Sequence, residues 1–312
     1  MSTGVPVRRS RARVDALGSG LIVLGSLQFG GVVVLGKIVT DGGLPVPAYL
    51  AVRFAVAAVL LGAALEVTGQ PLAAARGEGW RLVVLGTAGY GLEAGLFFGA
   101  VRHGSAATAT LLFFTYPVIV TLLAAVTGAG LPGKLVVVAL CSSVVGAALV
   151  VVAGHGLAIS GAGVLFALAA ALVFSLYLVG ADAVLDRTNS LTGSMWVSAA
   201  AAAALAAAAA VSGTGAWPVG LRQWGPVLAS GAFTAGAFVC LLGGLRRIGP
   251  VRAAIVGATE PLAASVLAVV FLHESLGAAA VVGGTLILAG AVAASLARRS
   301  RPPDPPSPQV IA

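Results

Sequence analysis

About ten apolar runs follow one another along this chain, each near the roughly 20 residues that a helix needs to cross about 30 Å of hydrocarbon, with only short polar breaks between them. They fall near residues 16–36, 47–67, 81–101, 105–128, 134–153, 161–182, 191–212, 224–244, 251–272 and 277–297. Only 9% of the residues are charged, against about 25% in an ordinary soluble domain. With 59% hydrophobic residues, so much apolar surface has no place inside a water-soluble globule. The expectation is an all-α, polytopic membrane protein of about ten transmembrane helices. The weakest run is the seventh, where "SAAAAAALAAAAAV" is a good helix former of modest hydrophobicity whose small side chains permit close helix contact.

The net charge of +8 does not mark a nucleic-acid partner, because the basic residues sit in short clusters between apolar runs instead of lining one face. Alternating the runs across a bilayer places the N-terminal arginines (Arg8 to Arg13), Arg76, Arg81, Lys134, Arg187, Arg246, Arg247, Arg252 and the C-terminal arginines on one side. Only Lys37, Arg102 and Arg222 fall on the other. The positive-inside rule then puts both termini in the cytoplasm and requires an even number of spans. Residues 1–15 read as a basic cytoplasmic N-terminus before an uncleaved first span, and the proline-rich 298–312 as a disordered cytoplasmic tail. The setting expected is the plasma membrane of a bacterium, its inner membrane, spanned many times.

Catalysis finds no support. There is no Walker A loop, no H-E-x-x-H and no G-x-S-x-G, and the three histidines are not spaced for a metal. Cys141 and Cys240 each lie inside an apolar run and suggest neither a disulfide nor a thiolate site. No cofactor, no metal and no nucleotide-driven pump is expected.

Setting Pro117 against Pro261 brings the two halves into register. Arg102 meets Arg246, "TYP" (Thr115 to Pro117) meets "TEP" (Thr259 to Pro261), Gly133 meets Gly277, and Gly146 meets Gly290. Five spans per copy is an odd number, so the second copy enters the membrane in the opposite sense. Inverted repeats of this kind are a recurring plan of secondary transporters, with the binding site near the midplane.

From about residue 16 to 297 the chain resembles the drug/metabolite transporter superfamily, in its EamA-type family. The resemblance is clearest in "TEPLAASVLAVVFLHESLGAAAVVGGTLILAGAVAASL", where Pro261 opens the segment, Glu274 closes the ninth run and Gly283, Gly284 and Gly290 follow. The first copy keeps Pro117 and Gly146 but has Gly130 where the acidic residue aligns. This resemblance implies two five-helix repeats, 16–153 and 161–297. It implies a secondary transporter that exports small metabolites, amino acids or drug-like compounds by alternating access. Its partners are then a small-molecule substrate and the lipid bilayer, with protons as the candidate coupling ion. An uncoupled facilitative permease is the first alternative, and a membrane-embedded enzyme or a channel the next.

A charge near the bilayer centre costs about 2.5–3.5 kcal/mol on insertion scales, so each one requires a reason. Glu93 and Glu260 lie nearest the middle of the third and ninth runs. On the third, Gly86, Tyr90, Glu93, Phe97 and Ala100 recur at helical spacing and suit a cavity wall. Glu260 precedes Pro261, whose missing N–H frees an upstream carbonyl, and Tyr116-Pro117 is the matching break in the other repeat. The two glutamates are expected either to bind a cationic group or exchange a proton with it, or to tie helices together as neutral donors. Arg53 is the one interior cation, a partner for an anionic group or a structural arginine bonded to carbonyls. Gln28, Tyr177, Thr115, Tyr116 and Thr259 offer neutral hydrogen bonds to a ligand or between helices. Glu274, beside a glycine turn, reads as a cap or gate.

Overall fold

The structure is a computed structural model that describes residues 5–124, 134, 137–138, 141–142, 145–146, 149, 159–184, 187–215, 217–218, 220–257, 259–274 and 277–299. All regular secondary structure among these residues is helical. In chain order the elements are α1 (Val5–Asp41), α2 (Val46–Thr68), α3 (Gly79–Val84), a π-helical segment (Leu85–Gly91), α4 (Leu92–Arg102), α5 (Ala106–Phe113), α6 (Tyr116–Ala124), α7 (Gly161–Val184), α8 (Ser190–Val211), α9 (Gly220–Val256), α10 (Thr259–Leu272) and α11 (Ala278–Arg299).

Local chemistry sets several of these ends. Pro45 precedes α2, and Gly69 closes it in the left-handed region (φ 64°), returning its N–H to the Glu66 carbonyl. Ser105 and Asn189 cap α5 and α8, their side-chain oxygens accepting from the N–H of Thr108 and Thr192.

Among the described residues, eight stretches are long and apolar enough to cross a membrane: Val14–Asp41, Val46–Thr68, Gly79–Arg102, Ala106–Leu123, Gly161–Asp182, Ser190–Val211, Gly220–Pro250 and Arg252–Leu272. A shorter apolar stretch, Val281–Gly290, lies in α11. Ten spans are therefore not seen among the described residues, since most of the expected fifth run, 134–153, lies outside them. Two features depart from uniform spans. The third carries the π-helical segment at its middle, and α9 is interrupted at Gly249, whose φ of 74° a side chain would disfavour.

Packing runs across the sequence halves more than within them. The most extensive contacts join α1 to α9 and α10, α2 to α8, and α4 to α7. Exchanging the halves maps the α1–α9 pair onto the α4–α7 pair and leaves α2–α8 unchanged, so the arrangement has a pseudo-twofold character. Outward-facing Val59, Leu165 and Val266 are 62–71% exposed, a surface suited to lipid. Because lipid tails are as apolar as leucine, helices associate here through close packing of small residues. Gly244 is one such position: a Cβ there would lie 2.6 Å from the Ile22 side chain and 2.9 Å from the Gly18 carbonyl.

Gly244→Val should therefore force α1 and α9 apart and cost about 1–3 kcal/mol, the usual scale of overpacking. Gly62, whose added Cβ would meet nothing within 4 Å, should accept alanine with a gain of about 0.4–1 kcal/mol. Thermal unfolding of both variants in one detergent checks the contrast.

Candidate functional site

Two helix breaks organise the centre of the molecule. In the fourth span α5 ends at Phe113, Phe114 and Thr115 form a turn, and α6 resumes one residue before Pro117. The ninth span breaks likewise at Gly257, ahead of Glu260 and Pro261. Proline lacks an N–H, so Pro261 leaves the Gly257 carbonyl without its helical donor. That carbonyl instead accepts from the Glu260 N–H at 2.8 Å and from the Ser26 hydroxyl at 3.5 Å. Tyr116 donates its hydroxyl to the Ala254 carbonyl at 3.4 Å, so a residue at one break satisfies the other. Thr115 and Thr259 each donate a hydroxyl at 3.0 Å to the carbonyl three residues upstream, on Leu112 and Val256. These two threonines hold their own turns.

Glu93, Glu260, Arg53 and Tyr90 line one cavity of about 40 Å³, which Phe29, Phe97, Phe98, Phe113 and Phe174 complete. Glu260 also lines a neighbouring cavity of about 20 Å³ together with Tyr116 and Ser26. At about 10–15 Å³ per water, the two spaces have room for only a few waters. Metabolite-sized ligands occupy clefts of about 300–1,000 Å³, so this conformation is closed around its carboxylates.

The walls are aromatic. Tyr90, in the π-helical segment, has its ring centroid 4.4 Å from Phe238 and 5.3 Å from Tyr177, and Tyr116 meets Phe174 at 4.8 Å. Arg53 is 3% exposed and holds its guanidinium over the Phe54 ring at 4.3 Å, with Phe98 at 5.5 Å and Tyr49 at 5.7 Å. Its Nε has no hydrogen-bond partner, nor has the buried Tyr177 hydroxyl. Among the described residues Arg53 forms no ion pair, although Glu93 and Glu260 line the same cavity.

Of the residues singled out from sequence, Glu93, Glu260, Tyr90 and Arg53 thus meet at one place, with Tyr116 and Tyr177 against it. Gln28 does not join them. Its amide donates to the Leu24 carbonyl at 3.2 Å and reaches the Cys240 thiol on α9 at 3.9 Å, and it lines neither cavity. The phenylalanine shell was not anticipated beyond Phe97. Phe174 stands three residues before Tyr177, a spacing that could have revealed it. No group of three or more His, Cys, Asp or Glu among the described residues could hold a metal.

A carboxylate latches the two repeats together at each end. At the face where α4 ends, the Glu274 carboxylate accepts from the N–H groups of Ala106 at 3.0 Å and Ala107 at 3.2 Å, while Ser105 takes that of Thr108. A carboxylate from the second half therefore caps α5 of the first, where exposed N–H groups and the helix dipole favour an anion. At the basic-rich face buried Glu78 accepts from the N–H groups of Arg187 at 3.1 Å and Thr188 at 2.9 Å, and from the Thr188 hydroxyl. Arg246 adds a bond to the Thr188 carbonyl at 2.9 Å and Arg187 one to the Arg76 carbonyl at 2.7 Å. Burial raises the Glu78 pKa, but the hydrogen bonds from Thr188 and Arg187 outweigh it and hold the carboxyl below its usual range.

A many-span helical protein with charged residues around a closed central cavity is the class these features define. A sequence profile of the EamA-like transporter family matches residues 16–152 and again 161–296. The chain belongs to that family, as two repeats. No curated protein sequence matches it. Among solved structures, one titled "Crystal structure of protein" is 22% identical with a TM-score of 0.66, covering 93% of this chain and 98% of its own. At that identity the likeness establishes the fold alone.

Glu78→Gln should cost about 1–3 kcal/mol near neutral pH, because an amide cannot accept from all the donors that face this carboxylate. The native carboxyl titrates below its unfolded value, so the latch contributes fully above that value and is lost as pH falls through the lower one. Wild type should therefore lose its advantage over the variant on acidification, read as converging melting temperatures. A constant gap across the acidic range would contradict this.

Proposed function

We propose that the protein is a secondary transporter that exports a small amine-bearing metabolite, amino acid or drug-like compound by alternating access. The observation that carries this reading is the meeting of Glu93 from the first repeat and Glu260 from the second, with Arg53, around one cavity too small for substrate and latched at both ends. In an inverted-repeat arrangement, opening one latch while the other holds exposes the carboxylates to one side at a time. Glu93 and Glu260 take the substrate's cationic group and exchange it for protons. Arg53, whose Nε lacks a partner, receives an anionic group where the substrate has one. Glu274 and the breaks at Pro117 and Pro261 serve gating. The basic-rich face and both termini lie in the cytoplasm, and the membrane is a bacterial plasma membrane.

Reconstitution into proteoliposomes tests this, with uptake of candidate amines and amino acids followed under an imposed pH gradient. The gradient should accelerate flux of a substrate through wild type, and Glu93→Gln or Glu260→Gln should abolish that acceleration. Saturable flux indifferent to the gradient in wild type would make the protein an uncoupled permease. A gradient response kept in both variants would assign the two carboxyls to helix contacts alone.

A further inference from the structure

A second concave site lies apart from the central cavity, on the membrane-facing side of α4. It is a groove of about 760 Å³ between α2, α4, α7 and α8, walled by apolar side chains such as Leu50, Leu96, Phe166 and Leu205 and ending at Arg102 and His103. Gly91, Gly95 and Gly99 form its floor, and a Cβ added at Gly95 would meet nothing within 4 Å. From Gly91 to Arg102 the floor runs about 16 Å at 1.5 Å per residue, about half the 30 Å hydrocarbon thickness. One leaflet's acyl chain has that length.

We infer that this groove holds one anionic glycerophospholipid, its chain along the glycines and its phosphate on Arg102. The argument rests on charge. An acyl chain gains little by leaving other lipid for an apolar groove, since the two surroundings are equally apolar. Preference must come from the head end, where Arg102 and His103 are both exposed. Arg102 has no ion-pair or hydrogen-bond partner among the described residues, whereas Arg246, its counterpart in the other repeat, is engaged with the Thr188 carbonyl. His103 lies on the Phe166 ring at 5.5 Å, and its Nδ1–H donates to the Gly99 carbonyl at 2.8 Å, which holds the ring beside Arg102 and leaves that arginine as the donor at the groove mouth. A guanidinium fork suits a phosphate oxygen pair. Glu93 sits on the same helix, so a bound lipid braces the element that carries one wall of the central cavity.

Native mass spectrometry of the purified full-length chain tests the assignment, with phosphatidylglycerol and phosphatidylcholine of identical acyl chains as probes. Wild type should retain phosphatidylglycerol severalfold more than phosphatidylcholine. Arg102→Gln should erase that preference, Gly95→Leu should fill the groove and remove the adduct, and Arg222→Gln, at an exposed arginine of the same face, should leave it intact. Equal retention of both lipids by wild type would overturn the assignment. So would equal losses in Arg102→Gln and Arg222→Gln, displacement of the adduct by millimolar inorganic phosphate, or a dimer that Gly95→Leu dissociates.

Discussion

Within a bilayer no water is at hand to satisfy a backbone group, so every interruption of a helix must be repaired by the protein itself. Several polar side chains in this structure are deployed on that task. Thr115 and Thr259 close turns at equivalent positions of the two repeats, Ser26 and Tyr116 reach carbonyls at the break before Pro261, and Glu274 caps α5. The bonds of Ser26, Tyr116 and Glu274 also join the two repeats to each other, so part of the repair doubles as contact between the halves. Proline and glycine make the breaks, and the hydroxyls and carboxylates make them tolerable.

From that repair follows the location of the site. Beside the breaks, Glu93, Glu260 and Arg53 line one cavity, and rings from Phe29, Phe98, Phe113 and Phe174 keep the space narrow. A guanidinium held over aromatic faces is stabilised without being neutralised by a contact ion pair. Its hydrogen-bonding capacity therefore remains to be met. Each latch consists of a carboxylate accepting backbone N–H groups from the other repeat. Such bonds form and break as a unit when an element moves, which suits a gate.

Much of the fold was legible because bilayer thickness dictates run length: the runs expected at 47–67 and 191–212 are helices Val46–Thr68 and Ser190–Val211. The proline breaks were legible for the same reason, since Pro117 and Pro261 sit inside runs that otherwise continue. The π-helical segment was not, because a shift in bonding register leaves no compositional trace. Neither was the direction of Gln28, as a helix apolar on nearly all sides does not reveal which face meets the core. Glu93, Glu260 and Arg53 stood out as charges in hydrocarbon, but the shell of phenylalanines did not, such residues being ordinary on any face of a membrane helix. The Glu78 latch was hidden by distance along the chain, its donors lying 109 and 110 residues away.

The central claim is that the two latches alternate about one cavity. Double electron–electron resonance measures this directly, with one spin-label pair at Ala73 and Asn189 across the Glu78 latch and another at His103 and His273 across the Glu274 latch, both natural cysteines having been replaced. On addition of a transported substrate or a change of pH, the long-distance fraction of one pair should grow while that of the other shrinks. Growth of both fractions together would describe a channel, and distances unmoved by substrate or pH would contradict alternation altogether.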